Sequence, residues 1–200
     1  MKILIRHILM ILLLSIVSCE NIIQPQKEKD FTSPYFPLAL GNKWYYKYWD
    51  RFDSTFVHPE SIILTEEVKS TRMLNDKLFF LIERCYLNLD GSIHIQDSIY
   101  YNFSGDTLYQ VLSNCEFSEE SISIRAIFAD SGHVSYQMKW YDEYYEAYSR
   151  LETDTTMNFV FYKPQWVDSG SEWKFKKNVG VIDYISYQTY GKRLVKYEFY

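Results

Sequence analysis

Short segments in which apolar and polar residues alternate follow one another along most of the chain after about residue 40. Alternation with a period of two predicts strands with one buried face, and Gly, Asn or Asp between segments predicts turns. Residues 78–82 form a continuous apolar run, which is typical of a central strand. The strands predicted by these patterns span residues 43–52, 61–70, 77–88, 92–103, 107–113, 121–129, 134–141, 157–162, 172–176, 181–190 and 194–200.

Turn-forming residues stand in several of the gaps between these segments. Asn75-Asp76 and residues 89–92 flank the third predicted strand, and Ser104-Gly105-Asp106 predicts a hairpin. Asp130-Ser131-Gly132 separates the sixth predicted strand from the seventh, and Tyr190-Gly191-Lys192 separates the last two. Short connections of this kind favour antiparallel neighbours.

The segment 143–152 is ambiguous, since Tyr144, Tyr148 and Leu151 have helical spacing while a strand fits equally well. The remaining pattern is all β, with roughly nine to eleven strands. We therefore predict a single antiparallel domain at residues 35–200, with its sheet curled into a half-barrel or arranged as a sandwich.

The first eighteen residues have the parts of an export signal. Lys2 and Arg6 give a basic start, and residues 8–17 form an apolar run of about ten residues, half of what a bilayer-spanning helix needs. Ile16-Val17-Ser18-Cys19 resembles the lipobox of bacterial lipoproteins. That resemblance implies cleavage before Cys19 and an anchor of acyl chains, including palmitate, on this residue. An uncleaved anchor, or a plain signal with a chance cysteine, is the alternative.

Residues 19–34 are expected to be the lipidated cysteine and a tether. The segment from residue 20 is polar, contains two prolines and the charged run at residues 27–30, and cannot bury a core. Its fifteen residues span at most about 50 Å when fully extended. The expected location is the cell envelope, on the outer membrane, with periplasmic and surface-facing orientations both open.

The charge of the chain limits its partners. There are 21 basic and 26 acidic residues, and loss of Lys2 and Arg6 with the signal leaves 19 against 26, a net charge of −7. An acidic domain without a basic stripe argues against nucleic acid. The expected partners are a membrane, through the acyl chains, and an unidentified protein, glycan or lipid.

Aromatic residues are unusually frequent. All 37 follow the signal, and 19 of them are tyrosines, which fit half-buried strands. The simplest interpretation is that they fill the sheet. The alternative is a ring-lined surface for a sugar or lipid, for which Trp44, Trp49, Trp140 and Trp173 are the candidates.

Two further cysteines, Cys85 and Cys115, lie in or next to predicted strands. In an oxidising compartment they can pair as a disulfide, and two buried free thiols are the alternative.

Both ends of the domain resemble a group of uncharacterised bacterial lipoproteins that begin Phe-Pro-Leu-x-x-Gly-Asn-x-Trp-x-Tyr. The matching stretches are residues 35–46, 168–173, 178–183 and 194–198. The resemblance implies an antiparallel β fold with some likeness to open-barrel lipoprotein carriers, and it brings no activity and no catalytic residues. On physical grounds Gly41 permits a turn with positive φ, and Trp44 plugs the core behind it.

No pattern of catalytic or metal-binding residues is found. His58, His94 and His133 lack metal-ligand spacing, and no phosphate-binding or nucleophile motif occurs. The adjacent acids Glu66-Glu67, Glu119-Glu120 and Asp142-Glu143 are interpreted as solvated surface, since neighbours on a strand face apart. We therefore expect no metal, no cofactor and no enzymatic activity.

Three functions remain as hypotheses. The first is a non-catalytic envelope lipoprotein that binds a partner protein or glycan through its sheet surface. The second is a carrier or sensor of a lipid or other apolar ligand in a cavity of the curled sheet. The third is an envelope hydrolase, in which two carboxylates from distant strands form the catalytic pair.

Overall fold

The structure is a computed structural model that describes residues 34–50, 52–53, 55–112, 116–128, 131–138, 143–162, 170–186 and 190–200. At residues 125, 131–138, 143–145 and 190 only the backbone is described. The chain divides into two units, Met1–Asp30 and Phe31–Tyr200, and every described residue belongs to the second. Within these residues no helix is long and apolar enough to cross a membrane.

The described residues form twelve strands, joined into one antiparallel sheet. The strands are β1 (Lys43–Asp50), β2 (Leu64–Leu74), β3 (Lys77–Leu87), β4 (Ile93–Ser104), β5 (Thr107–Leu112), β6 (Ser123–Ile127), β7 (Ser131–Met138), β8 (Glu143–Thr153), β9 (Thr156–Tyr162), β10 (Gly170–Lys176), β11 (Gly180–Ser186) and β12 (Tyr190–Glu198). A single 3-10 turn, Glu119–Ser121, lies between β5 and β6.

The first and last strands lie side by side at the centre of the sheet. The order is β6-β5-β4-β3-β2-β1-β12-β11-β10-β9-β8-β7, so β6 and β7 are the edges. Parts of β6 and β8 approach within 8 Å between Cα atoms without pairing, which shows that the sheet curls but does not close. The predicted all-β class and curled antiparallel sheet are confirmed.

Three details differ from the sequence prediction. The segment 143–152, for which helix and strand were both open, is a strand, β8, and it brings the described residues to twelve strands, one above the predicted range. Residues 131–132 begin β7 instead of forming a turn, and β6 and β7 lie at opposite edges instead of pairing. Residues 190–192 belong to β12, so the connection from β11 falls at residues 187–189, outside the described part. Turn-forming residues indicate where one strand ends and the next begins, but they do not indicate whether the two strands pair. The pairing depends on how the whole sheet curls.

Other predicted turns are confirmed by backbone angles. Asn75 and Asp76 have φ of 45° and 61° and form the two-residue connection from β2 to β3. Two consecutive positive φ values match the turn that suits the right-handed twist of a hairpin. Gly105 (φ 62°) joins β4 to β5, and Gly91 (φ 84°) lies in the turn before β4.

One core lies on the concave face of the sheet and draws on ten strands and the segment before β1. The curled sheet has two ends, which are named here by their connections. The closed end carries residues 34–42, the β2–β3 and β4–β5 turns, and the residues after β12. The open end carries the β1–β2 connection, residues 51–63, and the β3–β4 connection, residues 88–92.

The segment before β1 fills the closed end. Phe36 and Leu38 are each 1% exposed, and the Phe36 ring stacks on Trp44 with 5.4 Å between centroids. Asn42 donates from Nδ2 to the Pro37 carbonyl at 2.8 Å, which fixes the turn in which Gly41 has a φ of 86°. Trp44 is fully buried. The predicted roles of Gly41 and Trp44 are thereby confirmed.

The β10–β11 turn locks onto this segment. Trp44 Nε1 donates to the Val179 carbonyl at 2.6 Å, and the Asn178 amide donates to the Pro34 carbonyl. Gly180 has a φ of 102°, and an added Cβ would lie 2.9 Å from the Phe36 ring. Two stretches far apart in the sequence, each noted for its resemblance to lipoproteins, are therefore parts of one structural plug.

Candidate functional site

The concave face is not filled at the open end, and a pocket of about 300 Å³ remains there. We call it the mouth pocket. Its walls come from six strands, β1 to β3 and β10 to β12, and from the residue before β2. The lining residues are Tyr48, Ile63, Leu64, Arg84, Tyr86, Ser171, Trp173, Tyr184, Gly191 and Lys192.

Strand alternation explains why these side chains converge. Trp44 and Tyr46 point into the core from β1, and Tyr48 continues the same row toward the open end. In β2, Leu64, Glu66 and Val68 are the buried positions, so Glu66 also faces inward. The register places Arg84 of β3 beside Glu66, and Asp97 of β4 beside Arg84, in one row across three strands.

A buried ion pair lies beneath the pocket. Lys192 Nζ is 2.7 Å from Glu66 Oε1, and the two side chains are only 12% and 9% exposed. Tyr46 donates its hydroxyl to Glu66 Oε2 at 3.2 Å. The ammonium also lies 4.3 Å from the Tyr46 ring centroid and 5.5 Å from that of Trp173. These contacts hold the lysine in a fixed position between two aromatic rings.

The electrostatics of this site keep the Glu66 carboxylate charged. Burial alone would raise the pKa of the Glu66 carboxyl, but the adjacent Lys192 ammonium outweighs it and holds the pKa below its ordinary value. Burial raises the pKa of the Tyr46 hydroxyl well above its ordinary value, and the nearby Glu66 charge adds to the effect. Glu66 is therefore an anion and Tyr46 a neutral donor at neutral pH.

A second ion pair lies beside the first. Arg84 donates from Nε and from a terminal nitrogen to the two carboxylate oxygens of Asp97, at 2.6 and 2.7 Å. Such a two-bond arrangement fixes the plane of the guanidinium. Part of each side chain is exposed, so Arg84 can also contact a molecule in the pocket.

Aromatic rings form most of the remaining wall. The Trp173 and Tyr184 rings are 4.2 Å apart and tilted by 46°, and Trp173 Nε1 donates to Ser171 Oγ at 3.1 Å. Tyr48 is 43% exposed and offers its ring to the pocket. The site therefore combines ring faces, hydroxyl groups and fixed charges.

A second pocket adjoins the first. It measures about 500 Å³ and shares Tyr48 and Ile63 with the mouth pocket. Its other walls come from the two open-end connections, the end of β3 and the start of β4, at Val57, His58, Leu87, Asn88, Leu89 and His94. Tyr48 and Ile63 thus border both pockets at the open end.

The three candidate tryptophans that the structure describes lie in different places. Trp173 lines the mouth pocket, whereas Trp44 lies in the core and cannot reach it. Trp49 is 8% exposed on the opposite face of β1, with the Arg193 guanidinium 3.8 Å above its ring. Trp140 lies outside the described residues.

Of the three cysteines, the structure describes one. Cys85 lies half-buried on β3 and makes no disulfide within the described residues, while Cys19 and Cys115 lie outside them. The disulfide and the lipidation site stay predictions.

One interpretation of the sequence was wrong. Glu66 is not solvated surface but faces inward, and only Glu67 faces out, where it pairs with Lys43 at 3.3 Å and Lys69 at 2.8 Å. The available signal was the alternation of Leu64, Glu66 and Val68, which places a charge among core positions. Arg84, Asp97 and Lys192 carried no such signal, because their convergence depends on strand register. Glu119 and Glu120 are exposed, as expected.

No family model matches the chain, and no curated protein matches it. Two crystal structures are similar to it. One is a candidate lipoprotein from Parabacteroides distasonis, 12% identical, covering 82% of this chain and 98% of its own, with a TM-score of 0.45. The other is a candidate exported protein with a YmcC-like fold from Bacteroides fragilis, 7% identical, covering 82% and 99%, also with a TM-score of 0.45.

Proposed function

We propose that this chain is a non-catalytic envelope lipoprotein that binds a neutral saccharide in the mouth pocket. The observation that carries the proposal is the combination of aromatic ring faces with fixed hydrogen-bonding groups in one open pocket. The lipobox-like stretch before Cys19 and the resemblance at residues 35–46 support the anchor and the envelope location. The acyl chains on Cys19 would hold the domain on the outer membrane, facing the periplasm or the cell surface.

The chemistry of a sugar matches these walls. A saccharide ring has an apolar face of C–H groups and a rim of hydroxyls. Tyr48 and Trp173 supply ring faces for the first, and Arg84, Lys192 and Ser171 supply hydrogen-bonding groups for the second. The charges of Arg84 and Lys192 are balanced by Asp97 and Glu66, which favours a ligand without net charge.

The same charges disfavour the carrier hypothesis. An apolar ligand in this pocket would remove water from two ion pairs without replacing its hydrogen bonds, which is costly. The rest of the concave face is occupied by core side chains such as Phe159 and Phe175. An apolar ligand larger than the two open-end pockets would therefore have to displace packed residues.

The hydrolase hypothesis also lacks support from the pocket. A glycosidase of the usual type needs a carboxyl group whose raised pKa allows it to act as an acid. The pKa of the Glu66 carboxyl is instead held low by Lys192, and Asp97 is engaged by Arg84 through both oxygens. Both carboxylates are therefore held in ion pairs, an arrangement that suits binding and stability.

The test is a screen of the full mature chain against an array of neutral glycans, followed by titration calorimetry with the best one. Tyr48→Ala should weaken binding by about two- to tenfold, because a lost ring contact is worth about 0.5–1.5 kcal/mol. Tyr45→Ala is the matched control, since Tyr45 lies on the same strand and the opposite face. Absence of glycan binding, or equal affinities of the two variants, would overturn the proposal.

A further inference from the structure

The closed end carries an exposed apolar patch made of Leu40, Tyr197, Phe199 and Tyr200, which we call the closed-end patch. Their exposed fractions are 55%, 48%, 40% and 84%. The rings of Tyr197 and Phe199 are 4.8 Å apart. Tyr200 lies over Gly41, where an added Cβ would be 3.2 Å from its ring, and its amide donates to Asn42 Oδ1 at 3.2 Å. Leu40 precedes Gly41 in the chain, so all four residues lie at the closed end.

This surface is well anchored to the core. The Phe199 ring meets Trp44 edge to face at 6.0 Å between centroids, and Trp44 is fixed by its bond to Val179. The patch is therefore a preformed surface, and little side-chain ordering would be needed for it to bind.

The described chain enters the domain at this same end. Pro34 is held there by the amide of Asn178, and Phe36 packs beneath Trp44. Fifteen residues, 20–34, separate Cys19 from this point and reach at most about 50 Å. An acyl anchor on Cys19 would thus be attached to the domain at the closed end.

The chemistry of the closed-end patch fits a lipid headgroup region. Tyrosine rings are enriched where a membrane meets water, because one end of the ring is apolar and the other forms hydrogen bonds. The charged residues beside the patch are paired, Lys43 with Glu67 and Lys196 with Glu198. Attraction to the membrane would therefore come from apolar burial, not from lipid charge.

We propose that the closed-end patch rests in the headgroup region of the membrane that holds the anchor, so that the mouth pocket faces away from that membrane. The proposal rests on the Cys19 anchor of the proposed function, but not on the saccharide. A tether raises the effective concentration of the patch at the membrane to roughly millimolar, so a small patch suffices.

The open end provides an internal comparison. Ile93 and Ile95 are 58% and 50% exposed there, which matches the exposure of the closed-end patch. Apolar side chains at the two ends are therefore exposed to a similar degree. The two ends differ in that the chain from Cys19 enters the domain only at the closed end. A measurement that separates the two ends tests the proposal directly.

The experiment places one nitroxide label at a time on the full acylated chain in vesicles of neutral phosphatidylcholine. The labelled variants are Tyr197→Cys and Ile93→Cys, each with Cys85 and Cys115 changed to serine. Electron paramagnetic resonance then compares how readily oxygen, which concentrates in lipid, and a water-soluble nickel complex reach the label. We expect the oxygen-to-nickel ratio to be severalfold higher at position 197 than at position 93.

A ratio at position 197 no higher than at position 93 would overturn the proposal. Mass spectrometry of the same sample separates this result from a failure of the anchor, because an unacylated Cys19 would refute the anchor itself. In a second measurement, Leu40→Ser combined with Tyr197→Ser should lower the ratio of a label at position 200 severalfold, whereas Ile93→Ser with Ile95→Ser should not. Circular dichroism confirms that each variant is folded.

Discussion

The closed end and the open end of the curled sheet use similar aromatic residues for different purposes. At the closed end Phe36, Trp44 and Phe175 pack edge to face or stacked with no space between them. At the open end Tyr48 and Trp173 border a pocket of about 300 Å³ above two ion pairs. The difference follows from the chain outside the strands, because residues 34–42 plug the closed end.

This comparison separates stability from the proposed saccharide binding along a single strand. Trp44 and Tyr48 project from the same face of β1, four residues apart, yet one is fully buried and the other is 43% exposed. A side chain at the closed end should therefore contribute mainly to the free energy of unfolding. One at the open end should contribute mainly to ligand binding.

The largest effect is expected from Trp44→Ala. Loss of a buried indole leaves a cavity and removes its hydrogen bond to Val179, which together should lower the free energy of unfolding by about 4 kcal/mol. Urea unfolding followed by circular dichroism measures this change. A loss below about 1 kcal/mol would mean that the closed end is not the stabilising part of the molecule.

Lys192→Met should cost about 3 kcal/mol at pH 7, because it leaves the Glu66 carboxylate buried without its partner. The cost should shrink in acid. In the natural chain the folded pKa of Glu66 is lowered, so its stabilising contribution is present above about pH 4.5 and is lost as the pH falls through the folded pKa. In the variant Glu66 is free to take up a proton.

Urea unfolding between pH 3 and pH 7 measures this dependence. The control is the double variant Glu66→Gln with Lys192→Met, which should recover much of the stability lost at pH 7. A cost for Lys192→Met that does not change with pH would contradict the assigned ion pair.

Gly180→Ala should cost about 2 kcal/mol, because φ of 102° is strained for alanine and its Cβ would press on Phe36 at the closed end. Gly91→Ala is the matched change at the open end, where φ is 84° and no atom lies within 4 Å of an added Cβ. It should cost only about 1 kcal/mol. Equal shifts in thermal unfolding for the two would mean that the packing against Phe36 is unimportant.

The smallest effect on stability is expected from Tyr48→Ala, at less than about 1 kcal/mol, because much of this ring is already exposed. The same variant is expected to weaken saccharide binding. A midpoint of unfolding as low as that of Trp44→Ala would show that Tyr48 belongs to the core and would remove the contrast between the two ends.

The sequence by itself determined the class of fold and most of its strands. Period-two alternation located β1 to β5 within a few residues, and positive-φ residues such as Asn75 and Gly105 marked their turns. These are local properties, because side-chain direction and turn geometry depend on adjacent residues only.

The tertiary structure alone decided which strands became neighbours and what they enclosed. It joined β1 to β12 and sent β6 and β7 to opposite edges, which no turn residue indicated. The mouth pocket is lined by residues as distant as Arg84 and Lys192, and the ion pair beneath it joins Lys192 to Glu66. Their meeting depends on the register across the β1–β12 pair and on the curl of the sheet. Those are long-range properties, set by how the whole core packs, and alternation within one strand carries no information about them.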